Sequence, residues 1–93
     1  MSVYVDEPFD YGGLVQGYAR RHGTVWSHLM ADTEDELRAF AKRIGLKMEW
    51  IQHAGTSRVH FDVIPSKRQK AIAFGAQPLT KRELVRLRKS EAQ

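Results

Sequence analysis

The sequence predicts a small α/β protein, with α+β the adjacent alternative: a single-domain sandwich over residues 1–93 with about four short strands and two or three helices. Three observations carry this expectation. Short β-branched and aromatic runs recur along the chain, separated by turn residues. Two amphipathic segments begin with capping-box patterns, Thr33-x-x-Glu36 and Thr80-x-x-Glu83. The chain is 42% hydrophobic and 28% charged over 93 residues, which suits one folded domain with a modest core.

In chain order, "SVYV" (2–5) is short and β-prone, and "DEP" stops it, leaving Asp6 at the strand's C-terminal end. The segment "FDYGGLVQGYARRHG" contains Gly12, Gly13, Gly17 and Gly23 and reads as an irregular, glycine-rich connection with a helical turn or two. "TVWSHLMA" (24–31) reads as a second strand. "DTEDELRAFAKRIG" is the clearest element, capped by Asp32 or Thr33. Its first turn is acidic, its last turn holds Lys42 and Arg43, and Gly45 stops it. Leu37, Phe40, Ala41 and Ile44 fall on one face.

"LKMEWIQ" alternates through Leu46, Met48 and Trp50 and predicts a third strand. "HAGTS" is a turn, and "RVHFDVI" alternates again, so the two runs suggest a hairpin. Pro65 opens a helix over 66–74 that Gly75 ends, with Ser66 available to cap it. A last, basic helix covers about 80–89, with Leu84, Val85 and Leu87 inward. Helices are expected on one face of the sheet.

Cysteine is absent, which excludes disulfides, thiolate nucleophiles and thiolate zinc sites. No window approaches a membrane span, and the N-terminus lacks a signal-peptide pattern, so a cytoplasmic protein is the simplest expectation. Residues 1–66 carry 7 Lys/Arg against 9 Asp/Glu, whereas 67–93 carry 8 against 2. The excess of positive charge in the last third points to an acidic partner: a phosphorylated small molecule, a nucleic acid or an acidic protein.

Polar residues in apolar strands mark the candidate site. His28 interrupts an apolar strand, and Asp6 ends one. His60 and Asp62 are two apart, so on a strand they share a face with about 6.5–7 Å between α-carbons. That spacing suits a metal pair, a base with its orienter, or a nucleotide-binding face; it also suits plain polar alternation. The expected catalytic set is His28, His60 and Asp62, and any divalent metal would fall to Asp6, Asp32 and Asp62. Asp32 is equally well explained as a helix cap.

Ser66, Lys67 and Arg68 crowd a helix N-terminus that electrostatically disfavours cations. They read either as a solvated turn or as a phosphate cradle. Arg82, Arg86 and Lys89 form a basic stripe, either solvated or tracking a nucleic acid or partner. Trp26 and Trp50 read as core residues. His22 and His53 fall in loops at no standard metal spacing.

The segments "VYVD", "WSHLMAD" leading into "DELRAFAKRIGL", "HFDV", "SKRQKAIAFGA" and "PLTKREL" together resemble a family of small bacterial and phage proteins catalogued as domain of unknown function 4031. The resemblance spans nearly the whole chain. It implies a stand-alone domain of bacterial or phage origin and brings no activity with it. Its signature segments contain Asp6, His28, Asp32, His60, Asp62, Lys67 and Arg68.

Two functions are therefore expected. One is a binder of a phosphorylated ligand in a His/Asp-lined cleft, extending to metal-dependent phosphoester hydrolysis if three of the His/Asp groups converge. The other is a non-enzymatic interaction protein that uses its basic C-terminal helix.

Overall fold

The structure is a computed structural model that describes residues 2–10 and 25–91. Its centre is β3 (Val25–Ala31), which pairs antiparallel with β1 (Val3–Val5), with β2 (Phe9–Asp10) and with β4 (Phe61–Val63). A short β5 (Gln77–Pro78) adds parallel to β1. The helices are α1 (Glu34–Arg43), α2 (Pro65–Ala73) and α3 (Lys81–Glu91). This is the expected α/β architecture.

Strand alternation decides what each face meets. Val5, Leu29, Phe61 and Val63 project into the main core against Leu37, Phe40 and Ala41 of α1, its C-cap Ile44, and Ala71 of α2. Met30 and the partly buried Tyr4 occupy the opposite face, where Leu79 and Leu84 cover them and Leu87 packs alongside. The helices therefore lie on both faces, a correction to the one-sided expectation. Leu84 needs an apolar partner, and the second face of β1 and β3 supplies one.

The helix ends follow the sequence closely. Thr33 Oγ1 accepts the Glu36 backbone N–H at 3.1 Å. Thr80 and Glu83 form a reciprocal capping box, Glu83 Oε1 accepting from the Thr80 backbone N–H at 2.9 Å and Thr80 Oγ1 accepting from that of Glu83 at 3.1 Å. Gly45, at φ +85°, closes α1: its N–H bonds the Lys42 carbonyl, while that of Leu46 reaches back to Ala41.

Three expectations change. Residues 46–52 do not form a strand. Met48–Trp50 is a 3-10 turn, and the expected hairpin survives as one bridge between Gln52 and His60. The alternation was a true sign of one-sided burial, since Leu46 is buried and Lys47 and Glu49 are exposed. Alternation supplies no partner, however, and β4 spends its ladder on β3. Second, α2 begins at Pro65 with Ile64 as N-cap and no side-chain cap, so Ser66 lies inside the helix and caps nothing. Third, β2 and β5 are two-residue pairings too short for periodicity to reveal. Most of the glycine-rich connection, residues 11–24, lies outside the described residues.

Glu34 ties the 53–57 turn to α1. Its carboxylate accepts from the Gly55 backbone N–H at 2.7 Å and from Arg38 Nε at 2.9 Å. The Gly55 N–H, then Arg38, hold it below the usual carboxylate pKa of 4.5. A depressed carboxylate contributes stability above its unfolded pKa and loses that contribution as pH falls through the folded one. Glu34→Gln should therefore lower the melting temperature most at neutral pH. Melts across pH 7 to 3 should show the gap closing in acid; a constant gap would contradict this role. Among the described residues no helix is long and apolar enough to cross a membrane.

Candidate metal centre

Four polar residues meet where β1 ends, β3 runs past and β4 begins. Asp6 follows the last residue of β1, and its N–H continues the ladder to the His28 carbonyl at 3.1 Å. Register places His28 opposite Asp62 across β3 and β4. His60 precedes β4 and is held by its backbone bridge to Gln52. Because 28, 60 and 62 share a strand parity, all three side chains avoid the apolar core that takes Leu29, Phe61 and Val63.

Both imidazoles are oriented from behind. Asp6, only 2% exposed, accepts from the His28 backbone N–H through Oδ1 at 2.6 Å and meets His28 Nδ1 through Oδ2 at 2.7 Å. His60 Nδ1 lies 2.8 Å from the Arg58 carbonyl oxygen. A carbonyl oxygen can only accept, so that nitrogen carries the proton, and the neutral ring keeps its lone pair on Nε2. The Asp6 carboxylate, facing His28 Nδ1, favours the same tautomer on that ring.

The two Nε2 atoms turn toward one carboxylate oxygen. Asp62 Oδ1 is 3.4 Å from His60 Nε2 and 3.8 Å from His28 Nε2. The rings of His28 and His60 meet edge to face with centroids 4.9 Å apart. One ligand atom from each of His28, His60 and Asp62 lies within 4.8 Å of the others. Ligands 2.0–2.1 Å from a tetrahedral cation stand about 3.3 Å from one another, so small side-chain shifts complete the geometry. Two imidazole nitrogens and a carboxylate oxygen suit zinc, iron(II) or manganese, and three protein ligands leave positions for water or substrate. Carboxylate or carbonyl acceptors behind ligating histidines are the usual second layer of such sites.

The expected catalytic residues His28, His60 and Asp62 are thus brought together. Of the expected metal carboxylates, Asp62 belongs to the cluster, and Asp6 stands one layer back as the support of His28. Asp32 is elsewhere: four residues along from His28, about 13 Å on an extended strand, it accepts from the Tyr4 hydroxyl at 2.9 Å. An extended strand cannot bring residues four positions apart to one ligand. Asp6→Asn should keep the fold and weaken metal binding by about 10- to 100-fold, measured by calorimetry. Unchanged affinity would exclude Asp6 as the orienting group.

Lys67 and Arg68 have structural partners. Lys67 Nζ donates to the Ile44 carbonyl at 3.0 Å, a cation at the negative end of α1. Arg68 Nε donates to the Asp6 carbonyl at 3.0 Å, steadying the segment that presents the Asp6 carboxylate. Their position at the start of α2 is therefore offset by the C-terminus of α1 and by the β1 exit. Ser66 is exposed. Arg82 and Arg86 are exposed on α3, and the Lys89 side chain lies outside what is described.

The chain's match to the model of one family, "Protein of unknown function (DUF4031)", runs over residues 3–91. The chain belongs to the DUF4031 family. No curated protein and no solved structure matches it. Every residue of the cluster lies inside the DUF4031 match.

Sequence reasoning missed His53, whose ring lies 5.6 Å from that of His60, and the Arg58 carbonyl. The first reaches the site because the 53–59 turn folds back, with Thr56 N–H bonded to the His53 carbonyl. A backbone carbonyl leaves no mark in a sequence.

Proposed function

We propose that the protein is a divalent-metal-dependent phosphoesterase. His28, His60 and Asp62 hold the metal, and a phosphorylated ligand binds beside it. The observation that carries this reading is the convergence of the three ligand atoms within 4.8 Å, with both imidazoles oriented from behind. A divalent cation between the three would meet one electron pair from each. Such a cation would polarise a phosphoryl oxygen and acidify its bound water. Asp6 keeps His28 in the ligating tautomer, and the Arg58 carbonyl does the same for His60.

The choice of a phosphoester rests on a second cation. Lys67 and Asp62 line the same pocket, so the Lys67 ammonium can share a phosphate with the metal. One of its three N–H groups is committed to the Ile44 carbonyl.

The test is turnover of phosphate mono- and diester chromogenic substrates by chelator-stripped protein reloaded with Mg2+, Mn2+, Zn2+ or Fe2+. Phosphoester cleavage with at least one metal, reduced to background by His60→Ala and Asp62→Asn, is expected. Metal-dependent oxygen consumption without phosphoester cleavage would overturn the reading, because the same donor set serves oxygen-activating iron.

A further inference from the structure

A pocket of about 320 Å3 opens beside β4, and Asp62 belongs both to its wall and to the metal cluster. Trp26, Trp50, Glu49, Gln52 and Lys67 line it as well. We infer that this pocket is the recognition site for the rest of the substrate, and that it takes the base of a single nucleotide whose phosphate reaches the Asp62 side. The inference rests on the phosphoesterase reading above and names its substrate class.

Three features favour a nucleobase. Two indoles line one small cavity, and flat π-systems stack on indole whatever their sequence identity. Gln52 and Glu49 add an amide and a carboxylate, whose hydrogen bonds suit the polar edge of a base. The Gln52 backbone is pinned to His60 in both directions, 2.8 Å from its N–H to the His60 carbonyl and 3.1 Å for the return bond. The base-reading side chain and a metal ligand therefore share one rigid bridge.

The volume sets the size. Small-molecule sites run from about 300 to 1,000 Å3, so 320 Å3 lies at the small end and suits one nucleoside-sized group. Lys67 and Asp62 line the same pocket, so Lys67 and a metal held by Asp62 would together anchor its phosphate. A phosphorylated sugar brings no flat π-system to the indoles, and an aliphatic phosphate brings no hydrogen-bonding edge to Gln52 and Glu49.

Trp26 and Trp50 are the only two tryptophans of the chain, so every indole whose fluorescence is read lines this pocket. The experiment titrates the full chain, zinc-loaded and chelated in parallel, with the four nucleoside monophosphates, adenosine, ribose 5-phosphate and inorganic phosphate. Nucleoside monophosphates should quench the emission and bind at least about tenfold tighter than ribose 5-phosphate. Trp50→Leu, which keeps an apolar side chain against the core, should erase that preference while leaving zinc affinity intact.

Equal binding of ribose 5-phosphate and the monophosphates by the wild type would overturn the inference, and that comparison needs no variant. Quenching by adenosine in the chelated protein, with no zinc binding, would sustain the base pocket and overturn the metal reading. Zinc binding without any preference for a base would do the reverse. A nucleotide at the end of a short single strand offers the same base and phosphate. Tighter binding of a trinucleotide than of the monophosphates would assign the pocket to strand ends, and weaker binding would assign it to free mononucleotides.

Discussion

Zinc supplied to chelator-stripped protein at a hundred times its dissociation constant should raise the melting temperature by roughly 10–20 °C. Ligand at that ratio adds about 2.7 kcal/mol to the folded state. For a domain of this size each kcal/mol moves the melting point by about 4–8 °C. The ratio alone sets the size of the shift; preformation, with both imidazole tautomers set by Asp6 and by the Arg58 carbonyl, lowers the zinc concentration needed to reach it. His60→Ala and Asp62→Asn each remove one of three ligands and should abolish the shift. Asp32→Asn should retain it in full, since Asp32 pairs with Tyr4 at the far end of β3. A shift that survives His60→Ala, or disappears in Asp32→Asn, would show that the metal binds elsewhere. Protons compete with the metal for imidazole, so the shift should shrink as the buffer is acidified.

Phe61→Ala should cost about 3–5 kcal/mol, the largest loss expected from any single truncation in this chain. Phe61 is fully buried between His60 and Asp62 in sequence and packs into the core shared by α1, α2 and the sheet. Removing its ring leaves a cavity that small neighbours such as Ala41 and Ala71 cannot fill. Against a total stability of about 5–15 kcal/mol, the variant should sit close to unfolding at ambient temperature. Urea denaturation measures the loss directly, and a change below about 1 kcal/mol would mean that β4 is not anchored as described. Where the variant stays folded at low temperature, its zinc affinity should fall too. The same three-residue strand that buries Phe61 aims Asp62 at the two imidazoles.

Much of the scaffold was legible because its signals are local. Thr33, Thr80, Gly45 and Gly75 mark helix ends through chemistry that acts within four or five residues. Alternation through Val59, Phe61 and Val63 identified the inward face of β4 and hence the outward positions of His60 and Asp62. The same alternation misled at Leu46, Met48 and Trp50, where burial on one side came without a partner strand. Both tryptophans were read as core, and both pack there, Trp26 buried and Trp50 against the main cluster; that each also lines the pocket beside Asp62 left no mark in the sequence.

By itself, then, the sequence determined the α/β class, the positions of the helix caps, the outward face that His60 and Asp62 share, and the absence of thiol chemistry. Only the tertiary structure decided which polar residues meet. His28 and Asp62 are 34 positions apart and become neighbours through the register of β3 with β4, which pairs them across the ladder. Asp32, four positions from His28, is carried away from the site by the rise of the same strand. Lys67 and Arg68 looked like a phosphate cradle because a helix N-terminus is visible in sequence. Their partners, the carbonyls of Ile44 and Asp6, come from elements 23 and 62 residues away. Local chemistry sets each element's shape and which face it hides, while register and packing set distance, and a metal site is a matter of distance.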